Sequence, residues 1–118
     1  MNYVDGFVAA VPNECKQQYI EHVEKAVGAF FEHGALRVME TWGDDVPDGE
    51  ITSFPLAVKC EEGETVVFSW VEWPSKEVRD AAWQKLEEDE RMNPATNPMP
   101  FDGKRMIFGG FQSIIDRS

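Results

Sequence analysis

The strongest strand signal in the sequence lies at Glu64–Trp73, which reads ETVVFSWVEW. Its two alternating sets of side chains are both largely apolar, and a strand of that kind needs cover on both faces of its sheet. Residues 3–11, which read YVDGFVAAV, have the same β-branched and aromatic character, and Pro12 ends the run. The sequence therefore predicts two long strands, with Glu64–Trp73 at the centre of the sheet.

Two helical segments lie between the strands. Residues 15–31 carry apolar side chains at helical spacing, with Asn13 as the predicted N-cap and Gly34 as the stop. A second apolar stripe, residues 78–86, follows the predicted N-cap Ser75, and its outer face is charged. We therefore expect the apolar stripe of each helix to pack on the sheet.

Three shorter segments complete the pattern. Residues 35–42 alternate apolar and polar side chains like a half-exposed strand, and residues 54–59 are predicted as a weakly paired strand. Residues 105–115 form the last predicted strand, in which Gly109 and Gly110 indicate a bulge or a close backbone approach. Leaving the weak segment aside, the order is strand, helix, strand, strand, helix, strand.

This order is the ferredoxin-like βαββαβ pattern of the α+β class, an antiparallel sheet with two helices on one face. A chain of 118 residues has the length of one ordinary domain, so residues 1–118 are predicted to form a single domain. The second face of the sheet would expose more apolar surface than monomers usually tolerate. We therefore predict a homodimer whose sheets cover each other.

The composition excludes several classes of partner. The net charge of −11, from 22 acidic and 11 basic residues, repels nucleic acids and anionic membranes. Two histidines and two distant cysteines, Cys15 and Cys60, form no metal-binding or disulfide motif, and nucleotide-binding, serine-hydrolase and zinc-protease motifs are absent. No apolar run has the length of a membrane span, and the first residues do not resemble a signal peptide. The sequence predicts a soluble cytoplasmic protein with buried free thiols and no metal or cofactor.

Five blocks of the sequence, in this order along the chain, carry a specific resemblance. They are YVDGFV at 3–8, HGAL at 33–36, GDDVP at 43–47, TVVFSW at 65–70 and MPFDGKRM at 99–106. Together they resemble the YbaA-like family of small bacterial proteins of unknown function. The resemblance implies a place in the dimeric α/β-barrel superfamily, in which the sheets of two protomers pack into a barrel. That superfamily includes cofactor-free monooxygenases, haem-degrading enzymes, isomerases and stress-responsive proteins, so it leaves the chemistry open.

Two titratable residues are candidates for catalysis. His33 is predicted at the end of the first helix beside Gly34, where it acts either as a general base or as a cap on the helix dipole. Glu40 lies within a predicted strand, where it either points to solvent or faces the helices with a pKa raised by desolvation. Which of these roles applies depends on the fold.

Five further residues are candidates for the wall of a ligand pocket: His22, Phe68, Trp70, Met99 and Phe101. His22 borders the apolar stripe of the first helix. Phe68 and Trp70 share one side of the central strand, where they form either an aromatic wall or a packing surface for the core or a dimer. Met99 and Phe101 belong to the proline-rich loop 91–104, which is either a lid on a hydrophobic cleft or an arm that grips a partner subunit.

Two functional hypotheses follow. The first is a homodimeric α/β-barrel protein that binds a small apolar or aromatic ligand between its helices and its sheet. The second is a cofactor-independent enzyme that acts on an aromatic or polyketide-like substrate, similar to the monooxygenases or isomerases of the superfamily. An enzyme should show histidine or carboxylate groups that converge on a cavity of several hundred Å³, whereas the interior of a purely structural module should be filled.

Overall fold

A computed structural model describes all residues from 1 to 118. Its elements are, in chain order, β1 (Tyr3–Pro12), α1 (Lys16–Glu32), β2 (Arg37–Trp42), α2 (Phe54–Ala57), β3 (Glu64–Trp73), α3 (Lys76–Leu86) and β4 (Ile107–Gln112). Single turns of 3₁₀-helix lie at Asn13–Cys15, Glu90–Met92 and Gly103–Arg105. No helix combines the length and the apolar composition that crossing a bilayer requires.

The four strands form one sheet in the order β2-β3-β1-β4, and every neighbouring pair is antiparallel. The two long strands β1 and β3 occupy the centre, where their apolar side chains have neighbours on both sides. This arrangement confirms the predicted α+β, ferredoxin-like βαββαβ fold. It also fixes which residues share a face, because side chains alternate along each strand.

The face of the sheet that carries α1 and α3 holds most of the core. Odd-numbered residues of β1 and β3 point to this face, and Trp73 and Val71 pack there against Phe30 of α1 and Leu86 of α3. Trp73 and Leu86 are completely buried. The Phe30 ring meets the Trp73 ring edge-on at 6.2 Å, which fixes α1 over the centre of the sheet.

The outer face, opposite α1 and α3, is covered at one end only. The chain after α2 places the fully buried Val58 against Val8, Ala10 and Val66 of the outer face. The predicted strand at residues 54–59 was therefore wrong. Its first residues form a helical turn instead, since Pro55 fits the first turn of a helix and the Ser53 hydroxyl accepts a hydrogen bond from the Leu56 N–H at 3.0 Å.

The rest of the outer face is apolar and open to solvent. Phe68 remains 42% exposed and Phe111 61% exposed, and Ile107 lies beside them on β4. The Phe68 ring contacts Trp70 at 5.5 Å and Phe54 at 5.7 Å between centroids. This open part of the outer face thus forms an exposed aromatic surface that nothing in the protomer covers.

Several local expectations changed in detail. Asn13 does not cap α1: its side-chain oxygen accepts a hydrogen bond from the Thr65 hydroxyl, and a turn of 3₁₀-helix precedes the helix. Ser75 caps α3 as predicted, and Gly34 follows α1 with a φ of 108°, which glycine adopts without strain. Cys15 and Cys60 are free but partly exposed rather than buried.

The glycine pair of β4 does not form a bulge. Gly109 and Gly110 stay in register with Gly6 and Asp5 across the β1–β4 ladder, and β4 is shorter than the predicted 105–115. A Cβ atom on Gly110 would lie 2.5 Å from the Tyr3 hydroxyl oxygen. The prediction of a close backbone approach therefore holds only in part. The groups that approach Gly110 are the side chains of Tyr3 and Arg79 rather than backbone.

Candidate ligand-binding cavity

A cavity of about 540 Å³ lies between the sheet and its two long helices. Its floor is formed by residues of all four strands, its walls by α1 and α3, and its remaining side by the loop between α3 and β4. Most of its lining is apolar, and the aromatic members are Phe7, Tyr19, Phe30, Trp83, Phe101 and Phe108. The volume lies within the range of small-molecule sites in proteins.

A carboxylate, a phenol and a hydroxyl meet at the floor of this cavity. The Tyr19 hydroxyl of α1 donates a hydrogen bond of 2.5 Å to Glu40 Oε1 of β2. Ser69 of β3 lies directly opposite Glu40 in the ladder and on the same face. Tyr19 and Ser69 are buried, whereas Glu40 is half-buried. This Tyr19–Glu40–Ser69 cluster is the polar end of an otherwise largely apolar cavity.

Burial controls the titration of the cluster. It raises the pKa of Glu40, although the hydrogen bond from Tyr19 and the nearby Ser69 hydroxyl partly oppose that shift. Burial and the neighbouring Glu40 charge together raise the pKa of Tyr19 well above its usual value, so the phenol stays protonated and donates. Glu40 forms no ion pair with any Lys or Arg, which distinguishes it from most buried carboxylates.

The proline-rich loop is fastened to α1 by a buried amide. Asn97 is 4% exposed, and its Nδ2 donates to the backbone oxygens of His22 at 3.1 Å and Arg91 at 2.7 Å. Its Oδ1 lies 3.1 Å from Nδ1 of His22. The Phe101 ring then packs edge-on against His22 and Tyr19, with centroids 6.2 and 5.9 Å away. The loop therefore forms a wall of the cavity, and burial lowers the pKa of His22 behind it.

A second polar network lines the cavity near the beginning of β1. The Asp5 carboxylate, 3% exposed, accepts hydrogen bonds of 2.9 Å from the indole N–H groups of Trp73 and Trp83. It also binds Arg79 of α3 through both oxygens. The Arg79 guanidinium stacks over the Tyr3 ring, 5.3 Å from its centre, and lies directly above Gly110. A side chain at position 110 would displace both, which explains the glycine there.

Four of the residues predicted from the sequence line the cavity: His22, Glu40, Met99 and Phe101. Glu40 takes the second of its two predicted orientations and faces the helices. Phe68 and Trp70 instead lie on the outer face of the sheet, because their even-numbered positions in β3 alternate with Ser69. They contribute to the exposed aromatic surface and not to this cavity.

His33 also lies outside the cavity, at the C-terminal end of α1. Its Nε2 is 3.7 Å from the Asp89 carboxylate, and Glu32 is close enough to complete a group of three potential metal ligands. Arg91 occupies the centre of that group, however, and forms ion pairs with both carboxylates. The geometry therefore agrees with the capping role of His33 better than with a catalytic role.

The sequence-based reasoning missed Asp5, Tyr19, Arg79 and Trp83 as site residues. The sequence did contain a signal for Asp5. Asp5 lies two residues from both Tyr3 and Phe7 in the same strand, so the three side chains point to the same buried face of the sheet. A carboxylate on such a face requires a partner. The identity of that partner depends on how α3 lies on the sheet, which no local pattern specifies.

Comparisons with known proteins identify relatives but no activity. The family model for proteins of unknown function named DUF1428 matches residues 2–103. "Uncharacterized protein YbaA" of Escherichia coli strain K12 is 62% identical over 116 residues, covering 98% of this chain and 99% of the relative. The protein of the same name from Shigella flexneri matches equally well, also at 62% identity.

One solved structure provides a comparison of the fold. A dimeric ferredoxin-like protein from an uncultured marine organism aligns with a TM-score of 0.60 at 13% sequence identity. The alignment covers 99% of this chain and 97% of that chain. At this identity, the similarity bears on the fold alone.

Proposed function

Because the chain belongs to the DUF1428 family of proteins of unknown function, as the five sequence blocks indicated, we propose a function from its own site. The protein is a homodimer that binds a small, largely apolar molecule in the cavity between its helices and its sheet. The observation that carries the proposal is the 540 Å³ cavity with a cluster of hydrogen-bonding groups at one end. Such a combination of apolar walls and few converging polar groups is typical of small-molecule sites.

The lining supports binding rather than incomplete packing. Native cores are filled to crystal-like density, and empty spaces larger than a few water molecules are uncommon. Here the aromatic rings of Tyr19, Phe101 and Trp83 stand around the space instead of filling it. The loop that closes one side is held by the buried Asn97, so the space is a stable feature of the fold.

The homodimer rests on the exposed aromatic surface of the outer face. The rings of Phe68, Trp70 and Phe111 form a surface of the kind that proteins cover with a partner. On the outer face, Arg37 of β2 and Glu72 of β3 form an ion pair at 3.8 Å. This face therefore carries little of the net negative charge that would repel a second copy of the protein. The related fold from the marine organism is a dimer. Two outer faces packed together would give the dimeric α/β barrel.

A cavity-filling variant tests the ligand site. Val23 of α1 lines the cavity, whereas Val27, one turn further along the same helix, does not. We expect naphthylmethanol, an uncharged aromatic probe, to raise the melting temperature of the wild type and of Val27→Trp in a concentration-dependent way. Val23→Trp should lose that response because its indole occupies the space. An equal response in both variants, or none in the wild type, would contradict the proposal.

The enzymatic alternative is favoured by one observation, the Tyr19–Glu40 hydrogen bond inside the cavity. A carboxylate of raised pKa beside a phenol that donates could remove a proton from a carbon acid and return it elsewhere, as an isomerase requires. Exchange of deuterium from solvent into β-tetralone, a ketone with acidic C–H bonds, would detect this step by NMR. Exchange at the same rate in Glu40→Gln would argue against it.

A further inference from the structure

The positive groups that line the cavity are all neutralised by acidic neighbours. Arg79 is bound by Asp5 through two oxygens and by Asp80 at 3.0 Å. Arg91 forms ion pairs with Asp89 and with Glu32. No lysine lines the cavity. A carboxylate or phosphate group of a ligand would therefore find no free cation there and would have to displace a carboxylate of the protein.

The negative groups are not neutralised in the same way. Glu40 at the floor and Glu87 at the rim line the cavity without an ion-pair partner. Glu40 accepts a hydrogen bond from Tyr19 at Oε1; the Ser69 hydroxyl lies nearby on the paired strand, but Oε2 accepts no hydrogen bond from it or from any other group of the protein. Every fully buried polar side-chain atom of the protein has a partner, so Oε2 must be accessible. Because Glu40 lines the cavity, that accessible oxygen is available to a hydrogen-bond donor of a ligand.

The apolar lining favours the same sign of ligand charge. The rings of Tyr19, Phe101 and Trp83 stand around the cavity, and aromatic faces attract cations. The net charge of −11 adds a long-range attraction for cations and a repulsion for anions. The ion pairing of the lining residues, the aromatic walls and the net charge of the protein therefore all favour a cationic ligand over an anionic one.

We infer that the ligand of this cavity is a small aromatic or aliphatic amine, bound as the ammonium ion with its N–H groups on Glu40 and its apolar body between the aromatic rings. The inference rests on the proposed ligand-binding function and specifies the ligand class. The cation supplies the ion-pair partner that Glu40 lacks in the free protein. Anionic molecules of the same size and shape are excluded.

Three matched probes test the existence of the ligand site and the preference for an amine separately. Naphthylmethylamine, naphthylmethanol and naphthoate present the same ring system with a cationic, an uncharged and an anionic group. At pH 7, calorimetric titration of the wild-type protein should show the amine binding at least about tenfold more tightly than the alcohol, a difference of about 1.4 kcal/mol, and naphthoate binding most weakly. Failure of all three to bind would overturn the proposed function itself.

Variants at two glutamates test the role assigned to Glu40. Glu40→Gln should abolish the preference for the amine, measured as the ratio of the affinities of the same variant for naphthylmethylamine and for naphthylmethanol. Glu24→Gln, an exposed position on α1 outside the cavity, changes the net charge equally and should keep the preference. Binding of naphthylmethanol together with equal or tighter binding of naphthoate would refute the amine while leaving the ligand site intact. So would an unchanged amine preference in Glu40→Gln.

Discussion

Arg79 of α3 and Asp5 of β1 form a buried ion pair in which the guanidinium reaches both carboxylate oxygens, at 2.8 to 3.1 Å. The indole N–H groups of Trp73 and Trp83 complete the environment of the carboxylate at 2.9 Å each. One aspartate thus joins β1 to β3 and to α3. Because a buried charge is tolerated only when its partners remain in place, this network should determine the position of α3 on the sheet.

Removal of the Asp5 charge should be costly. We expect Asp5→Asn to lower the free energy of unfolding by about 3 kcal/mol, since Arg79 loses its charge partner and the amide cannot accept every hydrogen bond. Urea denaturation measures the change. The control is Asp80→Asn, which removes the exposed ion pairs of Asp80 with the same guanidinium and with Lys76 and should cost far less than Asp5→Asn. A loss in Asp80→Asn as large as that in Asp5→Asn would show that burial of Asp5 is not the cause.

The order of strands and helices along the chain, and the central position of β3 in the sheet, could be predicted from the sequence because both depend on local patterns. The two long apolar runs occupy the centre of the sheet, and the alternation in β2 placed one of its sides toward the core. That alternation also contained information on Glu40, which shares its side with Val38 and Trp42. An apolar neighbour two residues away on either side favours the buried face. The sequence therefore indicated more of the site than was read from it.

The remaining features depend on contacts between distant segments. The turn of α2 exists because Ser53 caps it and because Val58 finds a buried place on the outer face, and neither follows from the run of residues 54–59. The pairing of Tyr19 with Glu40 requires α1 to cross β2 at one position along its length. Such placements are set by tertiary packing, which propensities and periodicity do not encode.

The raised pKa of Glu40 should appear in the pH dependence of stability. The folded protein holds the Glu40 proton to higher pH than the unfolded chain does, so the folded state binds more protons in this interval. Stability therefore falls as the pH rises from the ordinary value of 4.5 through the raised pKa. Glu40→Gln should lack this loss, so the variant should gain stability relative to the wild type as the pH rises through the interval.

The difference in stability between the wild type and Glu40→Gln separates the effect of Glu40 from that of His22. The two residues change the stability in opposite directions as the pH rises. His22 has a lowered pKa, so stability rises with pH from that lowered pKa up to its ordinary value of 6.5. This contribution is present in both proteins and cancels when urea midpoints are compared from pH 4 to pH 8. A constant difference over that range would mean that Glu40 titrates alike in both states.

The exposed aromatic surface should be required for dimerisation. We expect the wild type to sediment at about twice the chain mass at micromolar concentration, and Phe68→Asp to sediment as a monomer, because two carboxylates would face each other across the interface. The melting temperature should fall and lose its dependence on protein concentration, since dimerisation stabilises the folded state by mass action; the monomer should still fold, because Phe68 is 42% exposed in the protomer. Ile20→Asp on α1, where Ile20 is 38% exposed, is the matched control and should remain a dimer. A monomeric wild type would exclude the barrel.

The amide of Asn97 should hold the loop wall of the cavity closed. Asn97→Ala removes its hydrogen bonds to the backbone oxygens of His22 and Arg91, and we expect a loss of about 2 kcal/mol in the free energy of unfolding. Amide hydrogen exchange across residues 93–102 should become faster than in the wild type. Loss of the Asn97 hydrogen bond by itself lowers the pKa of His22, but burial is the largest cause of its lowered value, so water admitted by the opened loop should raise the pKa toward 6.5 overall.

Asn93→Ala provides the control for this prediction, since Asn93 is exposed and its side chain binds only the Ala95 N–H within the same loop. It should leave both the His22 titration and the exchange rates near those of the wild type. An NMR titration of His22, together with the exchange rates, distinguishes the outcomes. If amide exchange across residues 93–102 is equally slow in Asn97→Ala and in the wild type, the loop is held by the packing of Phe101 and Met92 rather than by the buried amide.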